Sequence, residues 1–543
     1  MKGFASVRCE FLFPDTPLGT MPEALSAACA QNGRVGVQLL FACSAPSASI
    51  EIAAGGFLAE RFELLPVPVE YNTGDGTSQG GAMVMLPEEK PGYALRKAPF
   101  RVYDCLRPLE SSDLPAENGR CALYLTLTPV EDLAPGKHDA VITLDTGSER
   151  HTLRLEIAVY PVAFDENRFK QTNWFSICAM EQMHGVRRGT PEFEAVVRAY
   201  ARSMRSVHQK VFLLWMHEDL SERRTKQPWT FDFEDMKPII EIFFEEGFDT
   251  FETGGIICRG YRADGSPDMY TDDFKCAADP TVSVDSPEGY ALLSCEMRAF
   301  AGFLRKNGWM DRVLFHVMDE PDVHYKSDAD LQKRRLQFFA AANIVRRHLP
   351  GVRIIEAVKT TTFKSAIDIM VPITDGYQHN KAEFDACIAA GEEVWTYVCC
   401  APTGKWLNRF LDQPLIHGRL LFWGCAANRL RGYLHWGYNQ FGGVPDPFKA
   451  TSARNWTGIG TNFPCGDAFI VYPGDGGPWP SMRLEAERAG AEDAALLDAL
   501  LALDPAAHDA LIARVFRGFD DYDDAPEALE SVHEELLRLL SRF

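Results

Sequence analysis

The stretch Val313-Leu-Phe-His-Val-Met-Asp-Glu-Pro321 is an apolar run that ends in two adjacent carboxylates and a proline. Residues Val313 to Met318 carry no acidic side chain, which is the pattern of a parallel strand buried on both faces. Pro321 stops regular structure and is expected to hold Glu320 extended, so Asp319 and Glu320 should sit where a strand opens into a loop. In α/β barrels that edge is the catalytic face. Neighbouring carboxylates repel, and unequal surroundings split their pKa values, leaving one ionised and the other able to donate a proton. Taken alone, the segment fits a helix N-terminus or a solvated turn equally well.

The surrounding rhythm favours the barrel. After about Asn167, strand-like runs alternate with helical ones, as in parallel βα units. Eight strands are predicted: Thr172 to Ile177, Lys210 to Met216, Thr250 to Thr253, Val313 to Met318, Arg353 to Ala357, Asp368 to Val371, Val394 to Val398 and Tyr433 to Trp436. Helical periodicity fills the intervals, for example Gly289 to Lys306 and Asp328 to His348. Before this region, short alternating runs such as Val35 to Ala42, Cys121 to Leu127 and His151 to Val159 are separated by Gly, Pro, Asp and Ser, the signature of an antiparallel sandwich. The expected fold is therefore multidomain, β plus α/β. It comprises an N-terminal antiparallel β-sandwich over residues 1–165 and a catalytic (β/α)8 TIM-type barrel over 166–504. A C-terminal helical extension over 505–543 should pack on the barrel.

A chain of 543 residues has ample length for such cores. Its net charge of -21 argues against nucleic-acid binding. The small basic groups Arg202 to Arg205 and Arg223 to Lys226 read as solvated helix and loop charge. Fourteen cysteines lie scattered without CxxC pairs, which suits reduced thiols. Charges at Arg8 and Glu10 interrupt the start before any long apolar stretch, so no signal peptide is visible and a cytoplasmic location is expected. No window approaches roughly 18 uncharged apolar residues, so no membrane span is expected.

If the barrel reading holds, the strand ends converge on one pocket. Trp174, Trp215, Glu252, Tyr377, Trp395, Tyr397, Trp436 and Asn439 all fall in, at or just past the ends of predicted strands. Aromatic rings match the faces of a sugar, while Asn and carboxylates match its hydroxyls. Any one of these aromatics also suits the barrel rim as a core residue, but the set favours a carbohydrate pocket. Two-carboxylate glycosidases need a partner about 5 to 5.5 Å or about 6.5 to 9.5 Å from the acid. The seventh strand and its loop, Val394 to Leu411, supply none, and neither does the eighth through Val444. Glu252, Asp375, Glu356 and the pair Glu218-Asp219 remain as distant candidates.

Chemistry that needs only the neighbouring pair is substrate-assisted hydrolysis, in which a sugar's 2-acetamido oxygen attacks its own anomeric carbon. Glu320 would protonate the leaving oxygen, and Asp319 would orient the acetamido group and stabilise the oxazolinium-like intermediate. Tyr377 or Tyr397 could hold the acetamido oxygen. One obstacle is that successive strand side chains point oppositely, so the strand must twist or break at Asp319.

The motifs Phe315-His-Val-Met-Asp-Glu-Pro321, Pro402-Thr-Gly-Lys-Trp-Leu-Asn408, Asp412-Gln-Pro-Leu-Ile416, Gly432-Tyr-Leu-His-Trp-Gly-Tyr-Asn439, Gly466-Asp-Ala-Phe-Ile-Val-Tyr-Pro-Gly474 and Ser481-Met-Arg-Leu-Glu-Ala486 together resemble glycoside hydrolase family 123 and its relatives. The resemblance runs from about Thr172 to Leu497. It implies a β-N-acetylgalactosaminidase-like enzyme with Asp319 as stabiliser, Glu320 as acid/base and a preceding sandwich. Met318, where many relatives are expected to carry a small polar residue, is a mild departure.

Other chemistries find little support. There is no HExxH and no His, Cys or Asp grouping at ligand spacing, so no metal or other cofactor is expected, and His316 and His435 read as core histidines. Gly254-Gly255 and the Gly-rich run from Tyr71 to Gly81 lack nucleotide-binding patterns. Gly76-Thr-Ser-Gln-Gly80 spells GxSxG, but turn-like residues precede Ser78 where a nucleophile elbow needs a strand. The expected partner is a glycan or glycoside, and a homo-oligomer is left open. The alternatives are a glycosidase for another sugar, pairing Glu320 with Asp375 or Glu252, and a non-catalytic carbohydrate-binding protein.

Overall fold

The computed structural model describes residues 1–217 and 229–543. Glu218, Asp219 and the basic group Arg223 to Lys226 lie outside the described residues.

The N-terminal region is built from two sheets. One has the order Gly19–Thr20, Lys2–Ser6, Val35–Ala42, Arg120–Pro129, Phe57–Val69, Phe100–Pro108, and the other Asp113–Pro115, Ser47–Ala53, Gly136–Asp145, Arg150–Tyr160, Ala24–Ala30. Alternating residues of each supply a shared apolar cluster, with Val37, Leu39, Phe41, Leu123 and Leu125 meeting Ile50, Ile142, Leu144, Leu155 and Ile157. Truncating one such side chain, as in Leu125→Ala, would cost about 2–5 kcal/mol. The expectation of a wholly antiparallel arrangement is corrected at one edge, where Arg150–Tyr160 pairs in parallel with Ala24–Ala30. The chain leaves Ala30 by a short turn and enters the other sheet at Val35, so Ala24–Ala30 has no hairpin partner in its own sheet.

All eight strands predicted for the second region form, and every pairing among them is parallel. They lie in two arcs. The first is Lys170–Asn173, Gly432–His435, Thr396–Tyr397, and the second is Val211–Leu213, Thr250–Gly254, Val313–His316, Arg353–Val358, Ile369–Pro372, Glu393–Val394. The seventh predicted strand is split at Trp395, where a parallel bridge between Ile373 and Tyr397 links the arcs. At the other seam, Gln209 acts as a substitute rung. Its side-chain Oε1 accepts the N–H of Asn173 at 3.2 Å, and its side-chain Nε2 donates to the carbonyls of Asn173 at 3.2 Å and Val211 at 2.8 Å.

Period-two alternation sorts the strand residues. Val211, Leu213, Leu314, Ile355, Ala357, Ile369, Val371 and Leu434 join an interior cluster, whereas Phe212, Phe251, Phe315, Ile354, Met370 and Tyr433 belong to the layer shared with the helices. Helices lie between the strands. One of the two longest, Asp328–His348, begins at Ser327, whose hydroxyl accepts the N–H of Asp330, and has acids in its first turn and Arg346, Arg347 and His348 in its last.

Three helices follow the last strand: Met482–Leu503, Pro505–Ile512 and Pro526–Leu540. Buried Asp493 on the first accepts hydrogen bonds from Arg419, Trp423 and His533, each at 2.7 Å. The final helix packs on more than the second region, since Glu534 also receives the hydroxyl of Tyr160 at 3.0 Å from the N-terminal sheet. Among the described residues no helix is long and apolar enough to cross a membrane.

Candidate active site

The strand carrying the acid pair ends at His316, and the chain turns sharply before Pro321. Glu320 has φ +50°, so it is left-handed and not extended as the sequence suggested. That conformation costs a non-glycine residue about 1–2 kcal/mol, and the loop is held accordingly. Arg259 donates to the carbonyls of Asp319 at 3.3 Å and Glu320 at 2.5 Å. Arg334, fully buried, donates to the carbonyls of Val323 at 2.7 Å and His324 at 3.2 Å. Asp322 receives the N–H groups of Lys359 at 2.9 Å and Thr360 at 2.7 Å. The turn removes the obstacle of strand alternation, because Asp319 and Glu320 are no longer in a strand.

Burial, with the charge of Glu320 next, pushes the Asp319 carboxyl up to about 7, against the opposing pull of Arg259 and His316. The hydroxyl of Tyr397 donates to Oε1 of Glu320 at 2.5 Å. Burial and the Glu320 charge hold that phenol far above its usual range, so it stays a donor.

Below the pair lies a buried charge relay in the strand layer. His316 Nε2 is 3.0 Å from Glu252 Oε2, and its Nδ1 is 3.3 Å from Glu356 Oε2. Burial would strip the proton from His316, but the two carboxylates outweigh it and raise the imidazole to about 10. The other oxygen of Glu356 accepts the N–H groups of Val317 and Met318, the latter at 2.9 Å. Trp174 donates its indole N–H to Glu252 at 2.9 Å, and Trp174 and Trp215 set their rings against His316. Gly254 ends its strand at φ +123°, where a Cβ would lie 2.0 Å from the His316 carbonyl, so the site needs glycine there.

The sequence-derived candidates therefore separate. Tyr397 reaches Glu320 directly, whereas Glu252 and Trp174 surround His316, whose charge acts on Asp319. Trp436 is half-buried and donates to Asp467 Oδ1 at 3.2 Å. Asn439 spends its carboxamide on the backbone of Ser176, accepting at 2.8 Å and donating at 3.0 Å, so it ties the first strand's end to the last and offers nothing to a sugar. Two candidates are corrected outright. Tyr377 is buried on a short helix with its hydroxyl on Asp385 at 2.7 Å. Trp395 is buried at the break between two strands, points its N–H back to Glu393 at 2.7 Å, and fills the space beside Gly432.

Sequence reasoning did not single out Arg259 or Asp467. Asp467 is fully buried and pushed up to about 7 by burial, against Arg409 and the Trp436 indole. Its Oδ2 has no hydrogen-bond partner. Neighbouring His435 is held neutral by burial and by Arg409 and Arg483, and its Nδ1 accepts the N–H of Gly437 at 2.9 Å. Asp375, the other distant acid, is capped by Ser78, whose N–H and hydroxyl reach Oδ2 at 2.9 and 2.6 Å.

A cavity of about 840 Å³ lies elsewhere, between the N-terminal sheets and the C-terminal helices. Its charges already satisfy one another: Arg488 sits 3.1 Å from Glu485 and 2.6 Å from Glu492. There Arg488 holds Glu485 and Glu492 below the usual carboxylate range, whereas the carboxylates pushed up to about 7, Asp319 and Asp467, lie past the strand ends.

Comparison by sequence with curated proteins finds no match. By structure, the chain is similar to a family 123 glycoside hydrolase from Clostridium perfringens, with TM-score 0.68, 12% identity, and coverage of 100% of this chain and 99% of that one. An exo-β-1,4-mannosidase from Opitutaceae bacterium strain TAV5 matches at TM-score 0.38 and 11% identity, covering 61% of this chain and 63% of its own, which is too distant to inform the site. Residues 174–500, more than half of the chain and the segment holding the acid pair, match the catalytic domain of glycoside hydrolase 123. The chain belongs to glycoside hydrolase family 123 and is a glycosidase.

Proposed function

We propose that the enzyme releases a terminal β-linked N-acetylhexosamine, N-acetylgalactosamine by preference, through retaining substrate-assisted catalysis. The two parallel arcs are read as one closed (β/α)8 barrel with the reaction at the C-terminal ends of its strands. The observation that carries the mechanism is the occupation of every other described candidate acid. Glu252 and Glu356 are committed to His316, Asp322 to backbone N–H groups, and Asp375 to Ser78. Among the described residues that leaves Asp319 and Glu320 as the adjacent pair at the strand ends, while Asp467, whose Oδ2 is unpartnered, stands singly past the last strand beside Trp436.

In this reading the acetamido carbonyl oxygen attacks the anomeric carbon as the glycosidic bond breaks, and Glu320 gives its proton to the leaving oxygen. Asp319 accepts the acetamido N–H and balances the positive oxazolinium. Accepting that N–H favours the ionised form of Asp319, so substrate binding moves the pair's shared proton towards Glu320. Glu320, now a carboxylate, takes a proton from the water that opens the oxazoline, and the configuration is retained. Trp174 and Trp436 offer ring faces to the sugar, Asp467 Oδ2 offers an acceptor for a hydroxyl, and Tyr397 fixes Glu320.

The relative from Clostridium perfringens is described as acting in glycolipid glycan hydrolysis, which fits a glycan substrate here. A sugar-fused thiazoline copies the cyclic intermediate. It is expected to inhibit competitively, with the galacto form tighter than the gluco form. No inhibition by either would refute the substrate-assisted route.

A further inference from the structure

The Gly-rich loop of the N-terminal region does not hang free. It rises from the hairpin Asn72–Thr73 and Val84–Met85 and docks on three successive strand-end loops of the catalytic unit. Ser78 caps Asp375 after the Ile369–Pro372 strand, and its carbonyl accepts Lys359 Nζ at 2.9 Å after the Arg353–Val358 strand. The Gly76 carbonyl accepts the N–H of Thr403 at 2.7 Å, beyond the Thr396–Tyr397 strand. The base is pinned as well: Asp412 accepts the N–H of Thr73 at 2.7 Å. At the far end Met83 packs against the interior cluster that contains Trp174, Tyr397 and Ala401.

Two of these anchors adjoin the acid. Lys359, which holds Ser78, also gives its backbone N–H to Asp322 in the loop of Glu320. Thr403 follows the strand whose Tyr397 binds Glu320. The proton donor marks the leaving-group side of the scissile bond, and the anchors follow the fifth, sixth and seventh strands, whereas Trp174 and Trp436 follow the first and last.

We propose that the loop from Asp75 to Met83 is the wall of the leaving-group subsite, with Met83 as its apolar contact and Gln79 at its exposed tip as its polar one. The N-terminal region would then set which glycan the terminal sugar is removed from. This inference rests on the glycosidase reading of Asp319 and Glu320.

The test compares kcat/KM for a 4-nitrophenyl β-N-acetylgalactosaminide with that for the same sugar β-linked to a disaccharide, in the full-length protein. Met83→Ala and Gln79→Ala are each expected to lower the disaccharide-to-nitrophenyl ratio, Met83→Ala by about tenfold. Gln79 is exposed, so its substitution keeps the experiment informative if the Met83 variant does not fold. Unchanged ratios in the folded variants would overturn the proposal and leave the loop a clamp between domains. Glu320→Gln separates the two ideas: if it leaves both rates intact, the reading of the site fails whatever the loop does.

Discussion

The phenol of Tyr397 and the carboxylate of Glu320, 2.5 Å apart, join the seventh-strand region to the acid on the fourth. The donated hydrogen bond fixes the direction in which Glu320 presents its carboxyl to the leaving oxygen. Tyr397→Phe is expected to lower kcat/KM about tenfold while leaving affinity for the thiazoline nearly unchanged. An unchanged kcat/KM would contradict this role.

Substituting the pair itself separates the two functions. Glu320→Gln is expected to lose about 10²–10⁴ in kcat while retaining affinity for the thiazoline. Asp319→Asn should lose turnover and also bind the thiazoline more weakly, because the amide cannot balance the ring's positive charge. Isothermal titration on the two variants checks the contrast.

The pH dependence follows from the shared proton. Asp319 resists ionisation up to about 7, so below that the pair keeps one proton for Glu320 to deliver, and above it the proton is lost. kcat/KM is therefore expected to fall as pH rises through about 7, and a profile flat to about pH 9 would contradict it. The same shift costs stability. The native state holds this proton up to about 7 while the unfolded chain releases it at 3.8, so stability declines as pH rises across that window. Asp319→Asn should raise the melting temperature at pH 8 more than at pH 4.

His316 stabilises in the opposite sense. Its folded pKa of about 10 exceeds the unfolded 6.5, so its contribution is complete below about 6.5 and is lost as pH rises through 10. His316→Gln leaves Glu252 and Glu356 buried without a cation, which should cost about 3–5 kcal/mol in denaturant unfolding at pH 7.

The strands were legible because each is an apolar run bounded by turn residues, and Asp319-Glu320 stood out because charge follows such a run directly. Side-chain direction was not legible. Trp395 and Tyr397 lie two apart and both enter the interior cluster, yet Trp395 is spent at depth on Glu393 and the space beside Gly432 while Tyr397 reaches Glu320. Tyr377 looked like a strand-end residue, but a helix begins at Thr374 and turns it into the outer layer. Glu320 was expected to be extended before Pro321, and only the distant Arg259 and Arg334 show what holds it left-handed. The docked Gly-rich loop had no local signal, since its partners lie some 300 residues away at Asp375 and Thr403.

The most direct test of the account is the requirement for the 2-acetamido group. With nitrophenyl β-glycosides of N-acetylgalactosamine and galactose, only the first should turn over measurably in the wild-type enzyme. Comparable turnover of the galactoside would mean that the nucleophile comes from the protein, and substrate-assisted catalysis by Asp319 and Glu320 would be wrong.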